Sequence, residues 1–114
     1  MSADSPPWAA VVALVTAPDA AAAERLARAL VEERLVACAA SWPGVTSVYR
    51  WQGRVETATE VQLVLKTTSS CIDALVRRVK ELHPYEVPEV LVLPVQAGLP
   101  AYLHWLVEQT EPLP

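Results

Sequence analysis

Glycine and cysteine are both scarce, with three of the first and two of the second in 114 residues. Gly44, Gly53 and Gly98 are scattered, so there is no glycine-rich loop to cradle a phosphate and no nucleophile elbow. Cys38 and Cys71 are too few and too far apart for a disulfide framework or a four-ligand zinc site, and they read as free thiols of a cytoplasmic protein. No apolar run approaches ~20 residues, which argues against a membrane-spanning helix. Positive charge is short as well: 9 basic against 13 acidic side chains give a net charge of −4. The one basic group, Arg77-Arg78-Lys80, falls on a predicted helix as its solvated face. Nucleic-acid binding needs a concentrated basic footprint, so that class is set aside. Residues 1–8 carry no positive charge ahead of the apolar segment and read as a disordered tail, not a signal peptide.

Apolar residues, in contrast, are abundant. They make up 53% of the chain and charged residues 19%, against roughly 45–50% apolar for ordinary soluble domains. Many of them are alanines, which weigh little, but the remainder leaves scant polar surface to cover a lone sphere. Surplus apolar surface marks a partner interface, and self-association is the expectation. One domain, residues 9–110, with a short tail at 111–114, is long enough to bury a core without metal or disulfide.

Trp8 to Thr16 is a continuous β-branched run suited to a central strand. Asp19 then offers an N-cap to an amphipathic helix, Ala20 to Arg34, whose Ala23, Leu26, Ala27, Leu30 and Val31 share a face. Leu35 to Trp42 and Val45 to Gln52 have the same extended character on either side of Pro43-Gly44, which predicts one strand bent at a bulge. Gln52-Gly53 is a tight turn into a third strand ending at Thr67, with Val61, Leu63 and Leu65 on one face. The resulting antiparallel hairpin is longer than a compact domain needs, and it holds Tyr49 and Trp51 out on its tip. Ser70 and Asp73 suggest a capping box for a second helix through Leu82. Pro84 ends that helix, Glu89 to Gln96 makes a fourth strand with an edge proline, and Ala101 to Gln109 a last helix. The order β-α-β-β-α-β-α predicts an α+β, ferredoxin-like βαββαβ fold plus a C-terminal helix, with a four-stranded antiparallel sheet. Right-handed crossovers put the two main helices on one face and leave the other bare.

Chemistry concentrates in His83-Pro84-Tyr85-Glu86-Val87-Pro88-Glu89, an imidazole, a phenol and two carboxylates in a corner stiffened by two prolines. His83, Cys38, Glu86 and Glu89 are the candidate metal ligands, although no ligand spacing in the chain guarantees that they meet. Cys71 opens a helix and His104 faces solvent. A catalytic assignment lacks a third group to orient a Cys/His pair, so binding is expected and catalysis is not. A small-molecule pocket is the other reading, with His83, Tyr85, Lys66, Trp51 and Glu86 supplying apolar walls and a few polar groups.

Six ordered motifs then carry a resemblance across about residues 10–110. They are Val15-Thr16-Ala17-Pro18-Asp19, Leu35-Val36-Ala37-Cys38, the stretch Pro43 to Gly53, Val61 to Thr67, the His83–Glu89 corner, and Tyr102-Leu103-His104-Trp105. The sequence resembles the CutA family of divalent-cation tolerance proteins. The resemblance implies a cytoplasmic homotrimer, similar in architecture to PII signalling proteins, with weak binding of Cu²⁺ or another divalent cation not needed for folding. It also makes Tyr49, Trp51, Lys66, Tyr85 and Trp105 part of an inter-subunit cleft. Some members have Cys where this chain has Val15 and a His-His pair where it has Leu82-His83, at proposed copper ligands. Only His83 of that set is present, and neither valine nor leucine coordinates copper.

Overall fold

Residues 9–111 are described by a computed structural model; the expected tail at 1–8, with Trp8, and all but the first residue of the expected tail at 111–114 lie outside them. Period-2 alternation sets the first strand, β1 (Ala10–Ala17), whose odd-numbered residues are buried. Asp19 caps α1 (Ala20–Glu32) by accepting the Ala22 N–H at 2.8 Å, worth about 1 kcal/mol for such a cap. The helix stops two residues earlier than its periodicity suggests, because Arg34 takes a left-handed φ of 61°. The N–H groups of Leu35 and Val36 both turn back to the Leu30 carbonyl. That turn is why β2 (Cys38–Trp51) starts at Cys38 and not at Leu35. Val31, expected on the buried face, is 41% exposed.

β2 pairs with β3 (Arg54–Thr68) along nearly its full length. The register slips between Trp42 and Val45, where Pro43 and Gly44 interrupt the ladder, and Gly44 has a φ of 77°. The bulge shifts the alternation by one, so Val45, Tyr49 and Trp51 join Trp42 on the same face of the sheet. At the tip Gln52 and Gly53 both have positive φ (49° and 80°), the geometry of a two-residue I′ turn. β1 pairs with β3 only from Val61 to Thr68, so the hairpin runs on past it for roughly 20 Å.

A 3₁₀ turn, Ser69–Cys71, leads into α2 (Ile72–Leu82). The expected Ser70–Asp73 capping box does not form, since the Ser70 hydroxyl lies 3.1 Å from that of Thr68 instead. β4 (Leu91–Pro94) is shorter than the apolar run that announced it; it pairs antiparallel with β1 and ends at the proline. The sheet order is β2-β3-β1-β4, the ferredoxin-like arrangement, and α3 (Pro100–Thr110) follows with proline in its first turn.

α1 and α2 cover one face of the sheet. Ala13, Val15, Ala17, Leu63 and Leu65 meet Leu26, Leu30, Leu75 and Val79 there in one core. Arg78 crosses between the helices with a two-pronged ion pair to Glu33 (Nε–Oε1 2.8 Å, Nη2–Oε2 3.0 Å). On the other side, α3 touches β3 and β1 and buries Leu106 and Thr110. Its last turn is held by Arg34, whose Nη2 donates to the Glu108 carbonyl at 2.7 Å and whose Nε donates to that of Glu111. The left-handed Arg34 therefore ends one helix and caps another.

Candidate functional site

The His83–Glu89 corner begins where proline forbids helix. His83 is the C-cap of α2, extended at φ −76° and ψ 138°, with its own N–H still bonded to Val79. Its ring turns into the fold and is 7% exposed. Nε2 sits 2.7 Å from the Thr16 carbonyl oxygen and Nδ1 accepts the Tyr85 N–H at 3.1 Å. A carbonyl accepts and an amide donates, which fixes the neutral Nε2–H tautomer. Both nitrogens are thus in use, one bolting the corner to β1 and the other folding the corner on itself. The Tyr85 ring lies against the imidazole, with ring centres 4.8 Å apart.

Tyr85 then reaches β3, where its phenol donates to Glu60 Oε2 at 2.8 Å. Burial, and then the Glu60 carboxylate through its hydrogen bond and its charge, raise the phenol pKa well above its ordinary value. Glu60 precedes Val61, the residue opposite the end of β1, and is itself only 7% exposed. Lys80 donates from the last turn of α2 to the Glu86 carbonyl. These contacts hold the corner beside the overhanging hairpin, and a groove of about 440 Å³ opens between the two. Thr16, Tyr49, Trp51 and Glu60 line it from the sheet, with Tyr85, Glu86 and Glu89 from the corner.

The structure brings together Tyr49, Trp51, Tyr85, Glu86 and Glu89 of the residues singled out in the sequence, within a single chain. It does not bring Lys66, Trp105 or Cys38 to them. Lys66 and Cys38 face each other in the β3–β2 ladder, four β3 residues from Gln62, the partner of Thr16. That separation is roughly 13 Å along a strand. Cys38 shares the sheet face of Tyr49 and Trp51, so distance along the strand, not the choice of face, separates it from them. Trp105 is on α3, where its ring lies 5.6 Å from that of Tyr102. Among the described residues no three His, Cys, Asp or Glu side chains are placed to hold a metal ion.

Cys71, at the start of α2, is buried, with Sγ 3.7 Å from the Thr68 hydroxyl. His104 is exposed and 3.0 Å from Glu108. The residue that sequence reading missed is Glu60. Its signal was an acidic side chain at the head of an apolar strand, which reads as ordinary solvent-facing charge until Tyr85 arrives from elsewhere in the chain. Among the described residues no helix is long and apolar enough to cross a membrane.

Comparison with known proteins places this geometry among relatives. Residues 11–109 match the family described as CutA1 divalent ion tolerance protein. The chain is 50% identical over 103 residues to the divalent-cation tolerance protein CutA of Pectobacterium atrosepticum, covering 90% of this chain and 94% of that one. It is 47% identical to mouse Protein CutA, covering 92% of this chain but only 59% of the mouse protein. The solved divalent cation tolerance protein of Thermus thermophilus superposes with a TM-score of 0.87 at 49% identity, covering 90% and 99% of the two chains.

Proposed function

Because the chain belongs to the CutA1 family of divalent ion tolerance proteins, we propose that it acts as a cytoplasmic homotrimer that binds divalent cations weakly and reversibly, without catalysis. The cation is met by oxygen donors at the groove, Glu86 and Glu89, and not by a ready-made copper centre. The observation that carries this reading is the state of His83. An imidazole whose two nitrogens are both engaged has no lone pair to give a metal without breaking the corner, and Cys38 is too distant to assist. Exposed carboxylates that must gather further ligands from water suit hard or borderline cations at low affinity.

Self-association is supported by the sheet face away from α1 and α2. Leu91 and Leu93 are half exposed side by side on β4, and Trp42 is 50% exposed across the sheet. Two free thiols fit a reducing compartment. A second reading, a PII-like trimer that senses a small molecule, is favoured by the groove itself, whose volume falls within the ~300–1,000 Å³ of ordinary ligand sites.

Calorimetric titration of Zn²⁺, Mn²⁺ and Cu²⁺, with the mass checked by light scattering, tests the proposal. Binding is expected to weaken several-fold in a Glu86→Gln/Glu89→Gln double variant and to persist in a folded His83→Ala. Loss of Cu²⁺ binding in His83→Ala with the carboxylate variant unaffected would overturn it, as would a monomer at micromolar concentration.

A further inference from the structure

We infer that the groove between hairpin and corner is completed only in the assembly, where Glu60 of each chain is paired by Lys66 of the partner subunit. The inference deepens the self-association proposed above and rests on it.

Glu60 is more than nine-tenths covered and bonds only to the Tyr85 phenol, through Oε2. A carboxylate so placed ordinarily has a cationic partner, and within one chain no lysine or arginine lines the groove. Lys66 is the converse case. It is half-buried, and among the described residues it makes neither an ion pair nor a side-chain hydrogen bond. Its neighbours across the ladder are Cys38 of β2 and Val12 of β1, with Leu93 of β4 beyond Val12. Its ammonium therefore stands in an apolar patch. Both residues alternate with the buried Val61, Leu63 and Leu65 of β3, so both belong to the face away from α1 and α2. Six residues of strand, about 20 Å, keep them apart in one chain.

A neighbour that covers this face strands both charges unless they meet, and a stranded buried charge is costly. The other basic side chains are poor substitutes for Lys66. Arg28 and Arg78 are already in ion pairs, Arg34 holds α3, and Lys80 holds the corner. Arg25 and Arg77 lie on the helices of the opposite face. Arg50 and Arg54, at the end of the hairpin, are exposed and keep their water. Lys66 is the cation that assembly would deprive of solvent. The exchange also closes by itself: in a ring of three, each chain gives one lysine and receives one, and no Glu60 or Lys66 is left over.

A double-mutant cycle read as dissociation of the full-chain trimer on dilution, by light scattering, tests the pairing. Lys66→Met keeps the apolar stem and removes the charge. On a merely apolar face this exchange would tighten the trimer. With a buried Glu60 left unpaired, the trimer is expected instead to dissociate at a concentration roughly tenfold higher or more. Lys66→Arg keeps the charge and is expected to lose far less. Glu60→Gln keeps an acceptor for the Tyr85 phenol and is expected to weaken the trimer alone. Glu60→Gln/Lys66→Met is expected to recover most of the loss, because replacing both charges costs less than removing one. Losses that simply add in the double variant overturn the pairing and leave the trimer standing, whereas a monomeric parent chain overturns both. Should Glu60→Gln fail to fold, a trimer as tight in Lys66→Met as in the parent is sufficient to reject the pairing.

Discussion

The two faces of the sheet come from the same four strands and have opposite fates. On the face under α1 and α2, Ala13, Val15, Ala17, Leu63 and Leu65 are completely inaccessible. On the other face, Leu91 and Leu93 of β4 and Trp42 of β2 remain about half exposed, although they are as hydrophobic as the first set. The difference is one of supply. Two amphipathic helices return over one side, whereas only α3 reaches the other, and it leaves Tyr102 and Trp105 partly in water itself. A chain that spends strand positions on large apolar residues on both faces has completed one core and prepared another. The comparison thus separates what holds the single chain together from what the proposed trimer would cover.

The finished face is the easier one to break. Leu63→Ala removes a fully buried side chain from the middle of the central core, next to Leu65 and Val15. A loss of about 2–5 kcal/mol is expected, since the helices above cannot collapse fully into the space. Urea unfolding that shows a lower midpoint with an unchanged slope would bear this out. A loss under ~1 kcal/mol would mean that the assembly, and not this core, sets the stability.

The unfinished face should answer differently. Leu91→Glu/Leu93→Glu places two charges on β4 positions that already meet water in the single chain, so secondary structure by circular dichroism is expected to survive. Burying one leucine is worth about 1.5–3 kcal/mol, and burying the charges instead is costly. The proposed trimer should therefore dissociate at micromolar concentration, as seen by light scattering. An unchanged mass would place the contact elsewhere, on the hairpin or on α3.

How much of this was legible beforehand depended on whether the signal was local. The Asp19 cap, the Pro43-Gly44 bulge, the Gln52-Gly53 turn and the alternation in β3 each rest on residues within a few positions of one another, and each appears where expected. The termination of α1 was not legible in the same way, because Arg34 adopts its left-handed conformation while bonding α3, more than seventy residues away. The candidate site divides along the same line. Tyr85, Glu86 and Glu89 fall on one groove because the corner is contiguous, and Tyr49 and Trp51 join them from the end of the long hairpin. Lys66 and Trp105 were expected with them in a cleft between subunits; within one chain the strand register puts Lys66 beside Cys38. Glu60 needed the knowledge that Tyr85 crosses to β3, which no period in the sequence encodes.

The smallest effect is expected where the two faces meet the corner. Tyr85 is bonded to Glu60, and its phenol pKa is raised in the folded state, first by burial and then by that carboxylate. The unfolded phenol titrates near its usual value of about 10. Below that pH both states hold the proton, so the Tyr85–Glu60 contact contributes in full. Above it the unfolded chain loses the proton while the folded chain retains it, so the unfolded state binds fewer protons and stability falls as pH rises. Tyr85→Phe removes one hydrogen bond to a charged group, costing about 1.5–3 kcal/mol at most and less where the freed Glu60 oxygen is rehydrated from the groove. The variant should therefore begin slightly less stable at pH 7 and lose less stability than the parent between about pH 9 and 11. Thermal unfolding of both proteins across that range checks the convergence; parallel curves would show that folding leaves the titration of this phenol unchanged.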